Sequence, residues 1–311
     1  MRRAWDRINS FPTQALQTRF GTIEYADQGE GTPLLVSHGV LGGHVDTDHG
    51  WWANLPGPGF RVICPSRFGY FGSTLPAGAT PADQADAYAL LLDHVGVDRA
   101  VVIAYSAGSG SVLEFARRHP ERVIGLILAC CRLGGGITTP NAFAPLFRLA
   151  YSADRLFWIF RRIMPNAYAR MMGKPKGYRP SPREAEAMAD MLLPLKPRRE
   201  GAVFDGFVSN LAADRFPLEE IAVPTLIINA KDDTSFAPYR FAVKAAARIP
   251  GAKLVSIESG GHWFLGHDAE VRREIGVFVQ EATVSDRHRP SSVRTRGEGK
   301  VVSILGDFAS S

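Results

Sequence analysis

The sequence predicts an α/β protein in which a mostly parallel central β-sheet is flanked by helices and carries a helical insertion. Between residues 22 and 131, short apolar runs rich in β-branched residues alternate with helical patterns. This alternation is typical of a parallel sheet that is covered on both faces. It stops near residue 134 and returns near residue 217. The chain has 311 residues, of which 45% are hydrophobic, so it can bury a sizeable core.

Five strands and two helices are predicted before the insertion. The first helix begins at a capping pattern, Thr80 followed by Asp83, and runs to about Val95. The second helix starts directly after a strand, at Ala107, and runs to about Arg118. The five strands are the β-branched runs Thr22 to Asp27, Leu34 to Ser37, Arg61 to Pro65, Ala100 to Tyr105 and Val123 to Ala129.

The remaining core elements follow the insertion. They are a strand at Thr225 to Ala230, a helix from about Phe236 to Arg248, a strand at Lys253 to Ile257 and a closing helix from Val271 to Ala282. We therefore expect a core made of residues 1–133 and 217–284. Residues 134–216, which carry helical patterns between breaks rich in glycine and proline, are expected to form a helical cap or lid. Residues 285–311, rich in serine and arginine, are expected to form a flexible tail.

Composition and charge argue against several classes of protein. The formal net charge is +5, but residues 135–216 alone carry 13 basic and seven acidic side chains, so the excess is local. Because no zinc-finger spacing, aromatic-basic motif or long basic run accompanies it, we do not expect a nucleic-acid partner. No run approaches the ~18 apolar residues of a membrane-spanning helix. Three cysteines, and a first segment without the apolar core of a signal peptide, fit a reducing, cytoplasmic setting.

A serine at the end of a predicted buried strand is the strongest chemical signal. The strand that begins at Ala100 runs into Ala104-Tyr105-Ser106-Ala107-Gly108 and then into a helix. A small-x-Ser-x-Gly turn between a strand and a helix lifts the hydroxyl above the sheet, and its small residues allow the backbone to approach closely. Ser106 is therefore a candidate nucleophile. Near neutral pH a serine needs a base within hydrogen-bonding reach.

Candidates for that base and for a carboxylate follow later in the chain, each after a predicted strand. Asp232 and Asp233 follow the first strand after the insertion, at the end where parallel sheets deliver functional side chains. His262 follows the next strand, after two glycines. The order Ser106, Asp233, His262 is the order nucleophile, acid, histidine. Asp232 is the alternative acid, and His267 is a less favoured base.

Five short motifs stand at the ends of the predicted core strands. They are Ser37-His38-Gly39-Val40, Pro65-Ser66-Arg67-Phe68-Gly69-Tyr70-Phe71-Gly72-Ser73, the Ser106 turn, the Asp232-Asp233 loop and Gly260-Gly261-His262. In this order they make the chain resemble the α/β-hydrolase superfamily, which implies the α/β-hydrolase fold. By this resemblance Ser106 is the nucleophile, His262 the general base and then acid, and Asp233 the carboxylate that orients the imidazole. The resemblance also implies an oxyanion hole made by the backbone N–H groups of Val40 and Ala107. It implies no cofactor and no metal.

Two positions depart from the common pattern of that superfamily. Ala104 stands two residues before the serine, where glycine is usual. Ser66 stands ahead of Arg67, where many members have an acidic residue. We expect only loop details to differ, because neither position does chemistry.

Other candidate ligands and nucleophiles have simpler interpretations. His38 is expected to support the backbone of its own loop. A dense polar cluster follows it: His44, Asp46, Asp48 and His49. No helix or strand register brings these four side chains together, so we interpret the cluster as a polar loop rather than a metal site. Cys130 and Cys131 end a buried strand and are expected to be inert core thiols.

Aromatic side chains recur at helical spacing in the expected cap. They are Phe143, Phe147 and Tyr151, followed by Phe157, Trp158 and Phe160. Such a stripe either packs the cap onto the core or forms an apolar wall that faces Ser106. The second arrangement would select a hydrophobic acyl or alcohol group. The sequence leaves both open.

Together these features predict a serine hydrolase of the carboxylesterase type, which cleaves an ester or related acyl bond of a small apolar substrate through an acyl-enzyme. A serine nucleophile argues against dehalogenase or epoxide hydrolase chemistry, which needs a carboxylate at the same place. A carbon–carbon bond hydrolase, a lyase or a cofactor-free oxygenase on the same fold is the alternative. A non-catalytic ligand sensor is less favoured, because all three candidate residues are present. The oligomeric state is left open.

Overall fold

Eight strands form one mixed β-sheet in the computed structural model, which describes residues 2–45, 59–134, 141–165, 192–234 and 236–288 and the single positions 167, 173, 175, 177 and 178. The strands are β1 (Gln14–Thr18), β2 (Gly21–Gly29), β3 (Thr32–Ser37), β4 (Phe60–Pro65), β5 (Ala100–Tyr105), β6 (Val123–Ala129), β7 (Thr225–Ala230) and β8 (Lys253–Ile257). Their order across the sheet is β1-β2-β4-β3-β5-β6-β7-β8. Pairs β1/β2 and β2/β4 are antiparallel, and all later neighbours are parallel. The predicted mostly parallel sheet is confirmed.

Nine α-helices accompany the sheet in the described part of the chain. They are α1 (Arg2–Ser10), α2 (Pro81–His94), α3 (Ser109–Arg118), α4 (Ala144–Ala150), α5 (Asp154–Ile163), α6 (Arg199–Phe204), α7 (Asn210–Asp214), α8 (Tyr239–Arg248) and α9 (Asp268–Arg287). Between α6 and α7 the backbone forms a π-helical stretch, Asp205–Ser209. Such stretches are rare and occur frequently at functional sites. Among these described helices, none is both apolar and long enough to cross a bilayer.

The central strands are buried on both faces because helices cover the sheet from two sides. Along β5, Val102 and Ala104 join α2, α3 and α8 in one hydrophobic cluster, whereas Val101 and Ile103 join α9 in another. This alternation is the period of two that a strand imposes on its side chains. It explains why these strands appear in the sequence as uninterrupted apolar runs.

A third hydrophobic cluster joins the described part of residues 134–216, called here the helical insert, to the core. Its buried members include Leu41, which follows β3, and Leu193, Leu195 and Ala202 of the insert. Ala4 of helix α1 belongs to the same cluster. The insert therefore packs beside the loop that follows β3, at the carboxyl-terminal edge of the parallel strands.

The structure differs from the sequence prediction at the edges of the fold. Strand β1 and helix α1 are not predicted; β1 lies at the edge of the sheet with its residues exposed or half-buried, so it shows no clear apolar alternation. Helix α8 begins at Tyr239 rather than near Phe236. The reason is that Pro238 disfavours the helical conformation of the residue before it. Helix α9 continues to Arg287, three residues into the expected tail. Residues 289–311 lie outside the described part of the chain.

Candidate active site

Ser106 lies on a tight turn at the carboxyl-terminal end of β5. Its φ is +52°, in the left-handed region that L-residues rarely adopt. A 3₁₀ turn, Ser106–Gly108, then leads into α3. Gly108 lets this turn lie against β3, since a Cβ at that position would be 2.3 Å from the carbonyl oxygen of Ser37. The strained turn holds the hydroxyl at the edge of the sheet.

His262 follows β8 and reaches back to the serine. Its Nε2 lies 2.9 Å from the Oγ of Ser106. Gly260, with φ +107°, precedes the 3₁₀ turn that carries the imidazole. Tyr105, the residue before Ser106, donates its hydroxyl to the carbonyl of His262 at 2.7 Å. This hydrogen bond ties the histidine loop directly to the serine turn.

Two adjacent aspartates follow β7, and their side chains contact different groups. The Oδ2 of Asp233 lies 2.7 Å from the Nδ1 of His262, and these two residues are 3% and 4% exposed. Asp232 instead accepts the backbone N–H groups of Gly260 and Gly261, at 3.3 and 2.8 Å. Asp232 therefore shapes the glycine turn, and Asp233 contacts the imidazole that this turn presents.

The two other candidate histidines have local partners. The Nδ1 of His267 lies 2.8 Å from Glu270, at the start of α9. In the loop after β3, the Nδ1 of His38 lies 2.8 Å from the carbonyl of Gly39, and its Nε2 accepts the N–H of Arg67 at 3.0 Å. Burial, helped by the charge of Arg67, lowers the pKa of His38 well below its ordinary value. His38 is therefore neutral, and its two hydrogen bonds link the backbone of Gly39 to that of Arg67.

The peptide between Gly39 and Val40 is held from its carbonyl side. Besides the imidazole, the Gly39 carbonyl accepts hydrogen bonds from the Arg67 guanidinium at 3.2 Å and from the Gly42 N–H at 3.1 Å. In a planar trans peptide the C=O and the following N–H point in opposite directions, so these bonds also orient the N–H of Val40. The loop lies against the serine turn, because a Cβ at Gly39 would be 3.2 Å from the Cβ of Ser106.

A buried ion pair supports this loop from the side of the helical insert. Arg67 makes two hydrogen bonds of 2.5 Å to Asp205, in the π-helical stretch. The hydroxyl of Tyr70 also bonds to Asp205, and it accepts the N–H of Leu41 at 3.3 Å. Burial alone would lower the pKa of Arg67, but the neighbouring carboxylate raises it. Burial raises the pKa of Asp205.

Sequence reasoning missed the role of this pair. The sequence predicts that differences around Arg67 affect only loop details, whereas its side chain joins the helical insert to the loop after β3. The two partners are 138 residues apart. The one signal in the sequence is that Arg67 follows a core strand. The helical pattern of the insert does not identify Asp205 as a buried carboxylate.

Aromatic side chains surround the contact between Ser106 and His262. The rings of Tyr105 and Phe236 lie 5.3 and 5.1 Å from the imidazole ring, centroid to centroid. The ring of Trp263 lies 6.1 Å from it. The insert also reaches this site, since a Cβ at Gly173 would be 2.9 Å from the Cβ of His262.

The aromatic stripe of the insert divides between packing and exposure. Three members pack with the third hydrophobic cluster, beside the loop after β3: Tyr151, Phe157 and Trp158. Phe143 and Phe147 are 49% and 37% exposed. The first group thus brings aromatic surface close to the predicted site. In the second, the ring of Phe147 still packs edge-on against that of Phe207 at 5.5 Å.

Two of the three cysteines lie side by side at the end of β6 but have different neighbours. The backbone of Cys130 has φ +44°, and its Sγ lies 3.3 Å from the Oδ1 of Asn229. That Sγ, a carboxylate oxygen of Asp233 and a ring nitrogen of His262 all lie within 4.8 Å of one another. Burial, followed by the charge of Asp233, raises the pKa of Cys130 well above its ordinary value. Cys131 instead lies close to the carbonyl of a β5 residue, at 3.4 Å.

Of the polar cluster at positions 44–49, only His44 is described. The positions of Asp46, Asp48 and His49 lie outside the described residues. The Nδ1 of His44 lies 2.7 Å from the hydroxyl of Ser66, which anchors it beside β4. Burial, followed by the charge of a neighbouring arginine, lowers the pKa of His44 to about 4.

The sheet order, the left-handed serine turn and the histidine loop behind it are those of an α/β hydrolase. The chain belongs to the alpha/beta hydrolase family, whose model matches residues 26–274. The uncharacterized hydrolase YcgS of Bacillus subtilis is 30% identical over 268 residues, which cover 80% of this chain and 91% of the relative. A 2-hydroxy-6-oxononadienedioate/2-hydroxy-6-oxononatrienedioate hydrolase of Burkholderia vietnamiensis is 30% identical over 266 residues, which cover 80% and 87%.

Solved structures agree with this assignment. An alpha/beta hydrolase fold protein from Nakamurella multipartita has a TM-score of 0.62 and 26% identity, with 88% of this chain and 100% of the other covered. A thermophilic esterase from Thermogutta terrifontis has a TM-score of 0.65 and 25% identity, with 87% and 99% covered. The predicted α/β-hydrolase fold is confirmed. The relatives' names support a hydrolase as the kind of enzyme.

Proposed function

We propose that this hydrolase cleaves a carboxylic ester or related acyl bond through Ser106, His262 and Asp233. One observation carries the proposal: the Ser106 Oγ lies 2.9 Å from the Nε2 of His262, whose Nδ1 lies 2.7 Å from the Oδ2 of Asp233. A hydroxyl, an imidazole and a buried carboxylate in this sequence of contacts activate the hydroxyl oxygen.

In the first half of the proposed reaction, the Ser106 oxygen attacks the substrate carbonyl while the Nε2 of His262 accepts its proton. Asp233 keeps the imidazole in the required tautomer and stabilises the imidazolium without taking its proton. The oxyanion of the tetrahedral intermediate is bound by the N–H groups of Val40 and Ala107. Each such donor typically contributes about 3 kcal/mol to transition-state stabilisation.

The second half releases the acyl group. His262 protonates the leaving alcohol, the intermediate collapses to an acyl-enzyme on Ser106, and the alcohol departs. A water then gives its proton to the Nε2 of His262 and attacks the acyl carbon. Collapse of this second intermediate returns the proton to Ser106 and frees the carboxylic acid.

The surroundings of the serine support an apolar acyl or alcohol group. The aromatic side chains of Tyr105 and Phe236 lie beside the imidazole. Two arginines beside the loop after β3, Arg67 and Arg198, are only 2% and 0% exposed. Neither of these cations can reach a substrate. In this proposal the helical insert serves as the lid, because Gly173 lies beside His262 and Trp158 packs near the loop after β3.

A second candidate function is hydrolysis of a carbon–carbon bond. It is favoured by the names of relatives, which include the Burkholderia enzyme and a 2-hydroxymuconate semialdehyde hydrolase of Pseudomonas putida that is 27% identical to this chain. Fold and family do not separate the two reactions, because the same serine contact can serve a different substrate pose.

Turnover of p-nitrophenyl esters of increasing acyl length, measured beside turnover of 2-hydroxymuconate semialdehyde, tests the proposal. We expect kcat/KM to rise with acyl length for the esters and to exceed that for the semialdehyde. A fluorophosphonate probe should label Ser106, as located by mass spectrometry. Turnover of the semialdehyde without ester cleavage would favour the second candidate. Folded protein that neither turns over nor accepts the label would contradict both.

A further inference from the structure

We propose that Cys130, Asp233 and His262 form a binding site for a divalent cation of the zinc type, and that the bound cation reversibly inhibits the enzyme. The three ligand atoms lie within 4.8 Å of one another, and all three residues are buried. Thiolate, carboxylate and imidazole are the donors that Zn²⁺ prefers in proteins. The inhibition rests on the proposed serine mechanism, whereas the binding itself does not.

The three ligand atoms are nearly close enough together to bind one zinc ion. Bonds of about 2.3 Å to sulfur and about 2.0–2.2 Å to nitrogen and oxygen imply ligand separations of about 3.4–3.6 Å. The contact between Asp233 and His262, now 2.7 Å, must therefore lengthen. Any separation to the Cys130 sulfur that exceeds this range, up to 4.8 Å, must shorten. Each change is at most on the order of 1 Å, given these bond lengths. Three protein ligands leave a fourth position for water.

The charges of the ligands match a divalent ion. When the metal–sulfur bond forms, the Cys130 S–H bond breaks and its proton passes to solvent. The resulting thiolate and the carboxylate of Asp233 supply two negative charges, which neutralise the cation. Neutrality matters here, because burying uncompensated charge is costly.

Binding would remove the base from Ser106. The imidazole nitrogen that faces Asp233 is Nδ1. The neutral imidazole carries one proton, at Nδ1, and a metal can bind Nδ1 only if this proton leaves. The ring remains neutral when Nε2 takes up one proton from water. In that tautomer Nε2 donates to the Ser106 oxygen and can no longer accept its proton. The enzyme is then inactive until the metal leaves.

Burial predicts slow binding. Cys130 is 0% exposed, and the other two ligands are 3% and 4% exposed. The ring of Phe236 also lies 5.1 Å from the imidazole. We therefore expect inhibition that develops with time of incubation and is reversed by a chelator.

The test uses the full chain, Cd²⁺ as a spectroscopic substitute for Zn²⁺, and the variants Cys130→Ala and Cys131→Ala. Cys131 is the matched control, because it is the adjacent buried thiol but bonds to the carbonyl of Ala104. We measure the ultraviolet thiolate-to-cadmium absorption, the stoichiometry, and ester turnover before and after EDTA. The wild type and Cys131→Ala should bind one Cd²⁺ per chain and lose turnover that EDTA restores.

Cys130→Ala should lack the absorption band and bind Cd²⁺ at least about 100-fold more weakly, since losing even a group that only orients a ligand costs roughly 10–100-fold. An unchanged affinity in this variant, or no binding by the wild type, would overturn the proposal. If Cys130→Ala does not fold, His262→Gln must show a similar loss of affinity, and wild-type affinity in it would count against the site. Because absorption does not depend on turnover, failure of ester cleavage and failure of the metal site remain distinguishable.

Discussion

At the residue scale, two neighbouring aspartates illustrate how one loop divides two tasks. Asp233 contacts the Nδ1 of His262, whereas Asp232 accepts the N–H groups of the glycine turn. Both carboxylates help to place the same imidazole. Only the contact made by Asp233 also fixes which ring nitrogen carries the proton, so the two residues should differ in their effect on rate.

We expect Asp233→Asn to lower kcat by roughly 10⁴-fold, because an amide stabilises the wrong tautomer of the imidazole and cannot support an imidazolium. Asp232→Asn keeps an acceptor oxygen for the Gly261 N–H. Loss of one hydrogen bond of about 1 kcal/mol corresponds to roughly fivefold, so its effect should stay below about tenfold. Steady-state kinetics on a p-nitrophenyl ester measure both. A larger loss in Asp232→Asn would transfer the role to that residue.

The serine turn also makes a prediction about packing. Gly108→Ala would place a Cβ 2.3 Å from the Ser37 carbonyl oxygen and 2.8 Å from that of His38, both backbone atoms. We expect the free energy of unfolding to fall by about 3 kcal/mol or more, since overpacking typically costs ~1–3 kcal/mol and backbone yields less than side chains. Denaturant unfolding followed by circular dichroism measures the change.

Gly276→Ala is the matched control for that substitution. Gly276 lies inside α9, where an added Cβ would have no heavy atom within 4 Å. Replacing glycine in an unobstructed helix should raise the free energy of unfolding by about 0.5–1 kcal/mol. Equal effects of the two substitutions would show that the close approach at Gly108 is not what restricts that position.

At the element scale, the π-helical stretch of the insert and the loop after β3 behave as one unit. Asp205 binds Arg67, whose guanidinium donates to the Gly39 carbonyl, and it also binds Tyr70, whose hydroxyl accepts the Leu41 N–H. The side chains of both Arg67 and Asp205 are buried, at 3% and 0% exposure. Displacing the insert should therefore also displace the backbone that carries the proposed oxyanion donor.

We expect Tyr70→Phe to lower kcat by roughly tenfold while KM changes by less than about twofold, because a misplaced oxyanion donor weakens binding of the transition state rather than of the substrate. Asp205→Asn should act in the same direction. It should also cost about 3–5 kcal/mol of stability, since it leaves Arg67 buried without a compensating charge. Kinetics and denaturant unfolding on the same preparations separate the two effects.

Asp214→Asn is the control for this pair of variants. Asp214 ends α7 in the same insert and bonds to Arg132 at 2.9 Å, but both side chains are partly exposed. Its loss should leave kcat within about twofold, because exposed ion pairs contribute only ~0–1 kcal/mol. If Tyr70→Phe leaves kcat as unchanged as Asp214→Asn does, the network has no part in positioning the loop.

At the scale of the whole molecule, buried neutral histidines connect segments that are distant in sequence. His44 bonds to Ser66 at 2.7 Å and lies between the rings of Phe11 and Phe71, with centroids 5.6 and 4.8 Å away. Burial lowers its pKa to about 4 from a usual value of 6.5. At neutral pH it is uncharged, so its approach of 3.6 Å to Glu24 is not an ion pair.

This depressed pKa predicts acid sensitivity of the fold. Between pH 6.5 and about 4 the unfolded chain binds a proton at His44 that the folded chain does not. The stabilisation is therefore complete above pH 6.5 and is lost as the pH falls towards 4, with a total of about 3 kcal/mol. Urea unfolding of wild type and His44→Gln at pH 7.5 and 4.5 measures it. The variant should lose about 2–3 kcal/mol less than the wild type over this interval.

Carboxyl groups far from His44 also titrate in the acid range. Their contribution is common to both proteins and cancels in the difference between them. An equal loss of stability in the wild type and His44→Gln would show that His44 does not contribute to the acid sensitivity.

Local sequence patterns account for the central architecture. Strands β5, β6, β7 and β8 have the predicted bounds. For β5, β6 and β7 the reason is that strands buried in a parallel sheet must be short, continuous apolar runs with polar residues at their ends. The start of α2 was also fixed locally, since the side chains of Thr80 and Asp83 reciprocally cap it. Ser106, Asp233 and His262 could be singled out because each follows such a strand, and parallel strands end at one edge.

Which side chains contact one another depends on the packing of distant segments. The sequence left Asp232 and Asp233 as alternatives, since either carboxylate of one loop could turn towards the imidazole. No sequence pattern indicates that Arg67 and Asp205 pair across 138 residues, or that the thiol of Cys130, just after β6, lies beside the imidazole. Such contacts depend on how separate strand ends and the helical insert pack together, and no local pattern of residues encodes that distance.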